Sequence, residues 1–266
     1  MKHIYSKQNR ALLAELVRTD FKLRYQGSVL GYAWSLLRPL FIFLILYIVF
    51  VKFLRLGGNI PHYPIYLLLG IVMWNFFTEI TSQGLGSIVG RGDLIRKIKI
   101  PRWIIVLSSS ISGLINVGLN LLVVLIFMLI NQVDLLSTSV LFPLTLLQLY
   151  IFSLGVALLL STAFVKYRDV SYIWEVLLQA GFYATPILYP LSLITNVTVQ
   201  KVMLLNPVAQ TVQDARYELV THDTLTVWKV FEGGPYALIP VAITFATFIL
   251  GVWYFKKESK YFAENI

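Results

Sequence analysis

The chain has 266 residues, of which 58% are hydrophobic and 13% are charged, and its net charge is +9. Water-soluble domains average about 45–50% apolar and about 25% charged residues, so this composition excludes an ordinary soluble enzyme. It also excludes a disordered chain, which needs low hydrophobicity. The length suits about six membrane helices of about 20 residues with short connections.

Residues 1–33 are predicted to form a cytoplasmic interfacial segment with a helix that lies on the membrane surface; a solvated, frayed terminus is the other interpretation. Apolar residues would occupy one face of this helix and charged residues the other: Leu12, Leu13, Leu16 and Val17 against Glu15, Arg18 and Lys22. This pattern is typical of an amphipathic interfacial helix. Asp20 and Arg24 would fall on the apolar side, so we expect a bend between Asp20 and Gly27.

Six later stretches are long and apolar enough to span a bilayer. They are Leu36–Leu54, Tyr63–Ser82, Trp103–Ile130, Leu141–Val165, Tyr172–Tyr189 and Ala237–Phe255. Because the backbone must satisfy its own hydrogen bonds in lipid, each stretch is predicted to be helical. The fold class is therefore an all-α polytopic membrane protein, with one domain over residues 1–266. Residues 36–255 would form its six-span region and residues 256–266 a tail.

The distribution of Lys and Arg predicts the orientation. Both terminal segments and the loops after the second and fourth spans hold 17 of these residues, and the alternate loops hold five. Basic residues collect in cytoplasmic loops, so both termini are expected in the cytoplasm. No soluble basic surface then remains for a nucleic acid, and membrane lipid is the expected surrounding.

The external stretch Pro190–Pro235 is the only long one, at 46 residues. Loops of this length are usually functional or disordered, and this one is too apolar for disorder. Asn206–Pro207 is typical of a helix start, and apolar residues follow at helical spacing: Val208, Val212, Ala215 and Leu219. The stretch therefore predicts short re-entrant or surface helices, tucked against the outer ends of the spans.

Catalytic and metal-binding patterns are absent from the sequence. There is no phosphate-binding G-x-x-x-x-G-K-[ST] loop and no cysteine, and the three histidines are far apart. We therefore predict no catalytic, cofactor-binding or metal residue in this chain. Glu79 and Glu175 fall within spans, where an ionisable group is costly and suggests function. The other interpretation is that each of the two carboxylates pairs with a nearby Lys or Arg at the membrane interface.

Aromatic residues inside the spans allow two interpretations. They could pack against lipid, or they could line a path for sugars, whose C–H faces stack on aromatic rings. The candidate path residues are Trp74, Phe77, Tyr150, Trp174 and Tyr183.

The loop Gly90–Arg102 carries five basic residues around apolar ones. Leu94, Ile95 and Ile98 would share one helical face, which suits docking onto a soluble partner. A positive anchor without a partner fits the spacing equally well.

Several motifs in chain order carry a resemblance to a known family. They are Asp20–Gly31 followed by Trp34 and Arg38-Pro39-Leu40, Leu94–Arg102, Tyr167–Val170, Tyr183–Pro190 and Asn206-Pro207. The sequence resembles the permease subunits of bacterial type-2 ABC exporters for polysaccharides, which export O-antigen, teichoic acid or capsule.

This resemblance implies a non-catalytic permease in the bacterial cytoplasmic membrane. It implies a homodimer that binds two ABC ATPase subunits, which would supply the ATP and Mg sites that this chain lacks. A polyprenyl-linked glycan would pass through a channel at the dimer interface. The residues implied to couple to the ATPase are Leu94, Arg96, Lys97, Lys99, Pro101 and Arg102, together with Arg168 and Asp169.

Three other functions are considered. A drug- or lipid-exporting type-2 ABC permease is a close relative of the first hypothesis. A polytopic glycosyltransferase that uses a polyprenyl phosphate carrier would need paired cytoplasmic acids, whereas Asp93 and Asp169 stand singly. A secondary transporter would show a pair of broken helices or an inverted repeat, and neither is evident.

Overall fold

The computed structural model describes residues 7–24, 28, 30–54, 60–97, 100–134 and 136–265. The α-helices within these ranges are α1 (Lys7–Arg24), α2 (Trp34–Leu46), α3 (Tyr63–Ser87), α4 (Gly92–Lys97), α5 (Trp103–Ile130), α6 (Phe142–Lys166), α7 (Val170–Ala184), α8 (Val197–Leu204), α9 (Pro207–Leu219), α10 (Val227–Val230), α11 (Ile239–Glu258) and α12 (Phe262–Asn265). A π-helical turn, Tyr47–Phe53, continues α2.

Five helical segments in the described part of the chain are long and apolar enough to cross a membrane. They are Trp34–Phe53, Tyr63–Ser87, Trp103–Ile130, Ser137–Lys166 and Pro235–Tyr261. The predicted all-α polytopic fold is therefore confirmed.

The fifth predicted span, Tyr172–Tyr189, has a shorter helix than expected. The helix α7 has 15 residues and ends at Ala184, which gives a length of about 22 Å at 1.5 Å per residue. The hydrocarbon core of a bilayer is about 30 Å thick. Residues 185–189 follow α7 without helical structure. The number of membrane crossings remains a prediction.

The helix α3 forms the centre of the bundle. Almost every side chain from Tyr63 to Phe77 is buried, and α3 contacts α5, α6, α7 and α9. A helix with so much apolar surface is covered either by protein or by lipid, and here other helices of the bundle cover the stretch from Tyr63 to Phe77. The aromatic and aliphatic residues of α3 therefore form the core against which the other helices pack.

The bundle has two distinct ends. The basic end holds the end of α3, the whole of α4, the start of α5 and the end of α6, with α7 beginning nearby. The first and last helices also lie here, because α1 packs on α5 while α12 packs on α4 and α6. The opposite end holds α8, α9 and α10. We name it the hairpin end, because α8 and α9 are consecutive helices that contact each other. Both described ends of the chain therefore lie at the same end of the bundle.

Proline marks the helices that begin at the hairpin end. The proline lies in the first or second helical position of four of them: Pro64 in α3, Pro143 in α6, Pro207 in α9 and Pro240 in α11. A proline at this point loses no helical hydrogen bond, because the first N–H groups have no partner within the helix.

The predicted amphipathic helix is present as α1. Leu12, Leu13, Leu16 and Val17 are half-buried, whereas Glu15, Arg18 and Lys22 are exposed. The expected bend is absent from Asp20 to Arg24, because the helix continues to Arg24. The rest of that interval lies outside the described residues. Asp20 tolerates its position on the apolar side because it forms an ion pair with Arg91.

Candidate functional site

A polar cleft of about 750 Å³ lies between α2, α3 and α5 and opens near the basic end. Residues of α3 at helical spacing line one side of the cleft as a stripe: Asn75, Thr78, Glu79, Gln83, Gly86 and Ser87. This stripe runs from the middle of α3 to its last residue. In a membrane it would give polar groups a surface that is shielded from lipid.

Glu79 is the centre of the hydrogen bonds in this cleft. Asn116 Nδ2 of α5 donates to Glu79 Oε2 at 2.6 Å, and Gln83 Nε2 donates to Glu79 Oε1 at 2.9 Å. Two other atoms of cleft residues, Thr78 Oγ1 and Asn116 Oδ1, have no partner among the described residues although they are buried. A buried polar atom without a partner costs about 1–3 kcal/mol. A hydroxyl-bearing molecule or water in the cleft would remove this cost.

The mouth of the cleft carries charge. Arg91 forms an ion pair with Asp20 of α1 and donates from Nη1 to Ser108 Oγ at 3.0 Å. Burial lowers the pKa of Arg91, and the nearby carboxylate favours its charged form. Arg38 of α2 is exposed at the same mouth. The ion pair therefore joins α1 to the turn after α3, and the bond to Ser108 joins that turn to α5.

A second constellation lies at the hairpin end, where Arg216 of α9 is completely buried. Its Nε donates to Tyr66 O at 3.0 Å, and its guanidinium carbon lies 3.7 Å from the centre of the Tyr66 ring. Its Nη1 also donates to Gln213 Oε1 at 2.9 Å. The charge is therefore held by carbonyl dipoles and by an aromatic face, which is a favourable arrangement for arginine.

The other donors of Arg216 hold the non-helical segment after α7. Nη1 donates to Pro186 O at 2.5 Å and Nη2 donates to Ile187 O at 2.7 Å. The Tyr63 hydroxyl donates to the next carbonyl, Leu188 O, at 2.7 Å. Non-helical backbone is tolerated at membrane depth only where it is buried in protein and its polar groups are satisfied. Arg216 and Tyr63 meet this requirement for residues 186–188.

Gly70 makes room for the guanidinium group. A Cβ atom added at Gly70 would overlap Arg216 Nη2 and would lie 3.1 Å from Cζ. The absence of a side chain at Gly70 therefore allows the Arg216 guanidinium group to lie against α3.

Two acids of α9, Asp214 and Glu218, lie close to Arg216 in sequence. Each accepts a hydrogen bond from another side chain and not from Arg216. Thr145 Oγ1 donates to Glu218 Oε1 at 2.7 Å, and Gln210 Nε2 donates to Asp214 Oδ2. The helix α9 is not one of the five long apolar helices. Burial raises the pKa of Glu218 to about 7 and that of Asp214 to about 6. Both carboxylates therefore titrate closer to neutrality than exposed acids do.

The predicted path aromatics do not share one surface. Trp74 and Phe77 are almost buried, and Phe77 packs edge-on against Trp174 of α7 at 6.0 Å. Tyr150 lies on another side of α3, where its hydroxyl is 3.0 Å from Ser110 Oγ. Tyr183 is exposed on α7. Three of the five rings thus pack α7 onto α3, and none of the five lines the cleft. Their role in a glycan path remains a prediction.

The predicted coupling residues lie at the basic end. Arg96, Lys97, Arg168 and Asp169 are exposed, whereas Leu94, Pro101 and Arg102 are half-buried. Lys99 lies outside the described residues. Beneath them, α12 packs against both α4 and α6, so the two charged segments are braced by a common element. The surface is therefore suited to receive a partner, and its coupling role remains a prediction.

Sequence reasoning missed Arg216 and most of the cleft. Arg216 was counted only among the external basic residues. Its position was a usable signal, because Val212 and Leu219 lie one helical turn away on either side, so the arginine falls on the apolar face. The cleft had a weaker signal, since polar residues at helical spacing in α3 do not show which helices face them.

These features define a multi-pass helical membrane protein with a polar cleft at its basic end and a clamped helical hairpin at the other. Residues 11–219 match the family described as ABC-2 type transporter. The chain belongs to this family.

Curated relatives agree with this assignment. An O-antigen export system permease, RfbA of Myxococcus xanthus, is 34% identical over 201 residues, which cover 75% of this chain and 76% of that protein. Another RfbA, from Klebsiella pneumoniae, is 28% identical over 254 residues, with 95% and 94% covered. The polysialic acid transport protein KpsM of Escherichia coli is 26% identical over 199 residues, with 74% and 76% covered.

Proposed function

We propose that this chain is the permease subunit of an ATP-driven exporter that moves a polyprenyl-linked polysaccharide across the bacterial cytoplasmic membrane. The observation that carries the proposal is the similarity to O-antigen and polysialic acid transport proteins over most of their length. It favours a glycan over a drug or a lipid as the cargo. The chain itself carries no phosphate-binding loop, so a separate ABC ATPase would bind ATP and Mg.

The ATPase would dock at the basic end, which would then face the cytoplasm. Exposed cations on α4 and the exposed Arg168–Asp169 turn support this placement, because together they present both signs of charge to a soluble partner. The first and last helices lie at the same end, which would place both termini in the cytoplasm.

A second copy of the chain would cover the free face of α7. This face is strongly exposed and mixes apolar with polar side chains: Tyr172, Ile173, Val176, Leu177 and Tyr183 with Glu175 and Gln179. A carboxylate at membrane depth is costly against lipid and normally faces a protein interior or a water-filled path. A homodimer with a channel between the copies would provide such a surrounding for Glu175.

The cleft around Glu79 would contact the glycan on its way into this channel. Carboxylate and amide groups bind sugar hydroxyls through directional hydrogen bonds, and the unpartnered Thr78 Oγ1 and Asn116 Oδ1 can accept such bonds. The exposed ring of Trp34 at the mouth offers a stacking surface.

Transport in proteoliposomes tests the proposal. The purified chain and its ABC ATPase are reconstituted with a polyprenyl diphosphate oligosaccharide, and movement of the glycan is measured by its protection from periodate added outside. We expect ATP-dependent protection that is lost when the ATPase carries an inactive phosphate-binding loop. ATP-dependent movement of lipid without glycan would instead support the lipid-exporter alternative.

A matched pair of charge reversals tests the docking site. Lys97→Glu at the basic end should weaken co-purification of the ATPase and lower transport. Lys52→Glu makes the same change at an exposed residue of the hairpin end and should leave both unchanged. Equal effects of the two variants would contradict docking at the basic end.

A further inference from the structure

The helix α7 is held very differently at its two ends. It contains no fully buried residue, and its first turn follows the exposed Arg168 and Asp169. The segment after α7 is in contrast tightly enclosed, since Thr185, Ile187 and Leu188 are at most 5% exposed. Within one copy of the chain, side-chain packing therefore restrains the start of α7 less than the segment that follows its end.

The restraint at the end of α7 consists of side-chain hydrogen bonds to its backbone. Arg216 supplies two donors, to Pro186 O and Ile187 O, and Tyr63 supplies a third, to Leu188 O. The same guanidinium group donates to Tyr66 O of the central helix. The segment is thus tied to α3 and α9 together, which are the most buried parts of the fold.

We propose that the segment Thr185–Tyr189 is a hinge whose outer side is fixed by Arg216, and that α7 swings about it during transport. This inference rests on the proposed function, because it takes the ATPase as the source of movement at Arg168 and Asp169. Arg216 is then a positioning residue: it keeps the hairpin end still while the basic end of α7 moves.

The contacts of α7 with its neighbours allow such a swing. Aromatic rings form two contacts of this interface, with Phe77 against Trp174 and Trp74 against Phe182 at centroid distances of 6.0 Å. Gly181 lies next to these rings, so that an added Cβ atom would come within 2.9 Å of Trp74. Among the described residues, no hydrogen bond crosses this interface, and packed helices without such bonds can slide past one another by small amounts.

Distance measurements between spin labels test the hinge. The chain has no cysteine, so label pairs can be introduced singly into the full chain bound to its ATPase in lipid nanodiscs. One pair, Tyr172→Cys with Lys257→Cys, reports the basic end. The other, Tyr183→Cys with Leu238→Cys, reports the hairpin end. All four positions are exposed.

Trapping the ATPase with ATP and vanadate should shift the first distance by several ångströms and leave the second unchanged. In Arg216→Met the second distance should shift as well, whereas Arg216→Lys should restore part of the restraint. A merely structural role of Arg216 would lower stability without making the hairpin-end distance respond to nucleotide.

Three outcomes would overturn the hinge. The two distances could shift together in the wild type, neither could shift while transport is active, or Arg216→Met could leave the second distance fixed. Failure of the proposed function is read separately, as absence of ATP-driven glycan transport by the wild type. If Arg216→Met does not fold, Tyr63→Phe removes only the bond to Leu188 O and should loosen the hairpin-end distance to a smaller extent.

Discussion

Replacing Gly155 by alanine should destabilise the bundle, because α6 and α11 cross there with almost no space between their backbones. A Cβ atom at position 155 would lie 2.7 Å from Phe248 Cα and 2.8 Å from Phe248 N. The opposite glycine, Gly251, is equally tight, since its Cβ would lie 2.5 Å from Gly155 O. Small residues at such crossings let membrane helices approach closely.

The size of the stability loss follows from the overlap between the added Cβ atom and the backbone of Phe248. Carbon atoms pack at about 3.5–4.0 Å, so the two backbones must separate by about 1 Å to admit the methyl group. Overpacking of this kind costs about 1–3 kcal/mol, and the separation weakens dispersion contacts along the rest of the crossing. Alanine returns about 1 kcal/mol through its higher helix propensity. We therefore expect a net loss of about 1–2 kcal/mol in the free energy of unfolding.

Unfolding by SDS in mixed micelles measures this loss, with the six tryptophans as the fluorescence signal. Gly118→Ala is the matched control, because Gly118 lies in another long helix and, apart from its own helix backbone, no atom of the described residues is within 4 Å of its added Cβ. The Gly118→Ala variant measures the gain in helix propensity without the overlap. The double variant at Gly155 and Gly251 should cost less than the sum of the single variants, since helices already separated admit the second methyl group. Equal stability of Gly155→Ala and Gly118→Ala would refute the reasoning.

Three further predictions concern the two ends of the bundle. Asp20→Asn should lower the free energy of unfolding by about 1–3 kcal/mol, because Arg91 is left partly buried without its counter-ion, and should make α1 cleavable by trypsin; unchanged cleavage would count against the anchoring role. Glu218 has a raised pKa of about 7, so its folded state binds a proton more tightly than the unfolded state does, and stability should fall as the pH rises from about 4.5 to above 7. Glu218→Gln should flatten this part of the pH profile, measured by the same SDS titration. Asn206→Ala should cost about 1 kcal/mol, because the Asn206 side chain accepts from Val208 N at the start of α9, and a cost indistinguishable from zero would contradict the capping role.

Composition and periodicity were sufficient for the fold class and several element boundaries, whereas the family was predicted from the motifs that resemble it. Trp103–Ile130 was predicted to the residue, since a basic and proline-containing loop precedes it and a polar turn follows it. The start of α9 at Asn206–Pro207 was also confirmed, because capping and N1 proline chemistry is local. The end of α7 was missed, because hydropathy continues past Ala184 while the helix does not.

The candidate sites also differ in how far the sequence predicts them. The exposed charges of α4 were evident from the sequence, because local charge density and amphipathic spacing identify such a surface. The cleft was not, since Glu79 meets Asn116 only when α3 and α5 pack together. The path aromatics show that residue type alone does not fix a role. Trp74 and Phe77 are suited to sugar stacking, but in the fold they pack α7 onto α3.

By itself, the sequence determined that this chain crosses a membrane as helices and where its basic residues collect, because burial in lipid and local charge act on each segment independently. Only the tertiary structure decided which polar groups meet. Arg216 shows the difference: in the sequence it is one of three external basic residues, and in the fold it is a completely buried cation between α3, α9 and the segment after α7. Three of its hydrogen bonds go to backbone carbonyls from 29 to 150 residues away in the chain. A backbone carbonyl carries no residue-specific signal, so the contact depends on packing that no local pattern encodes.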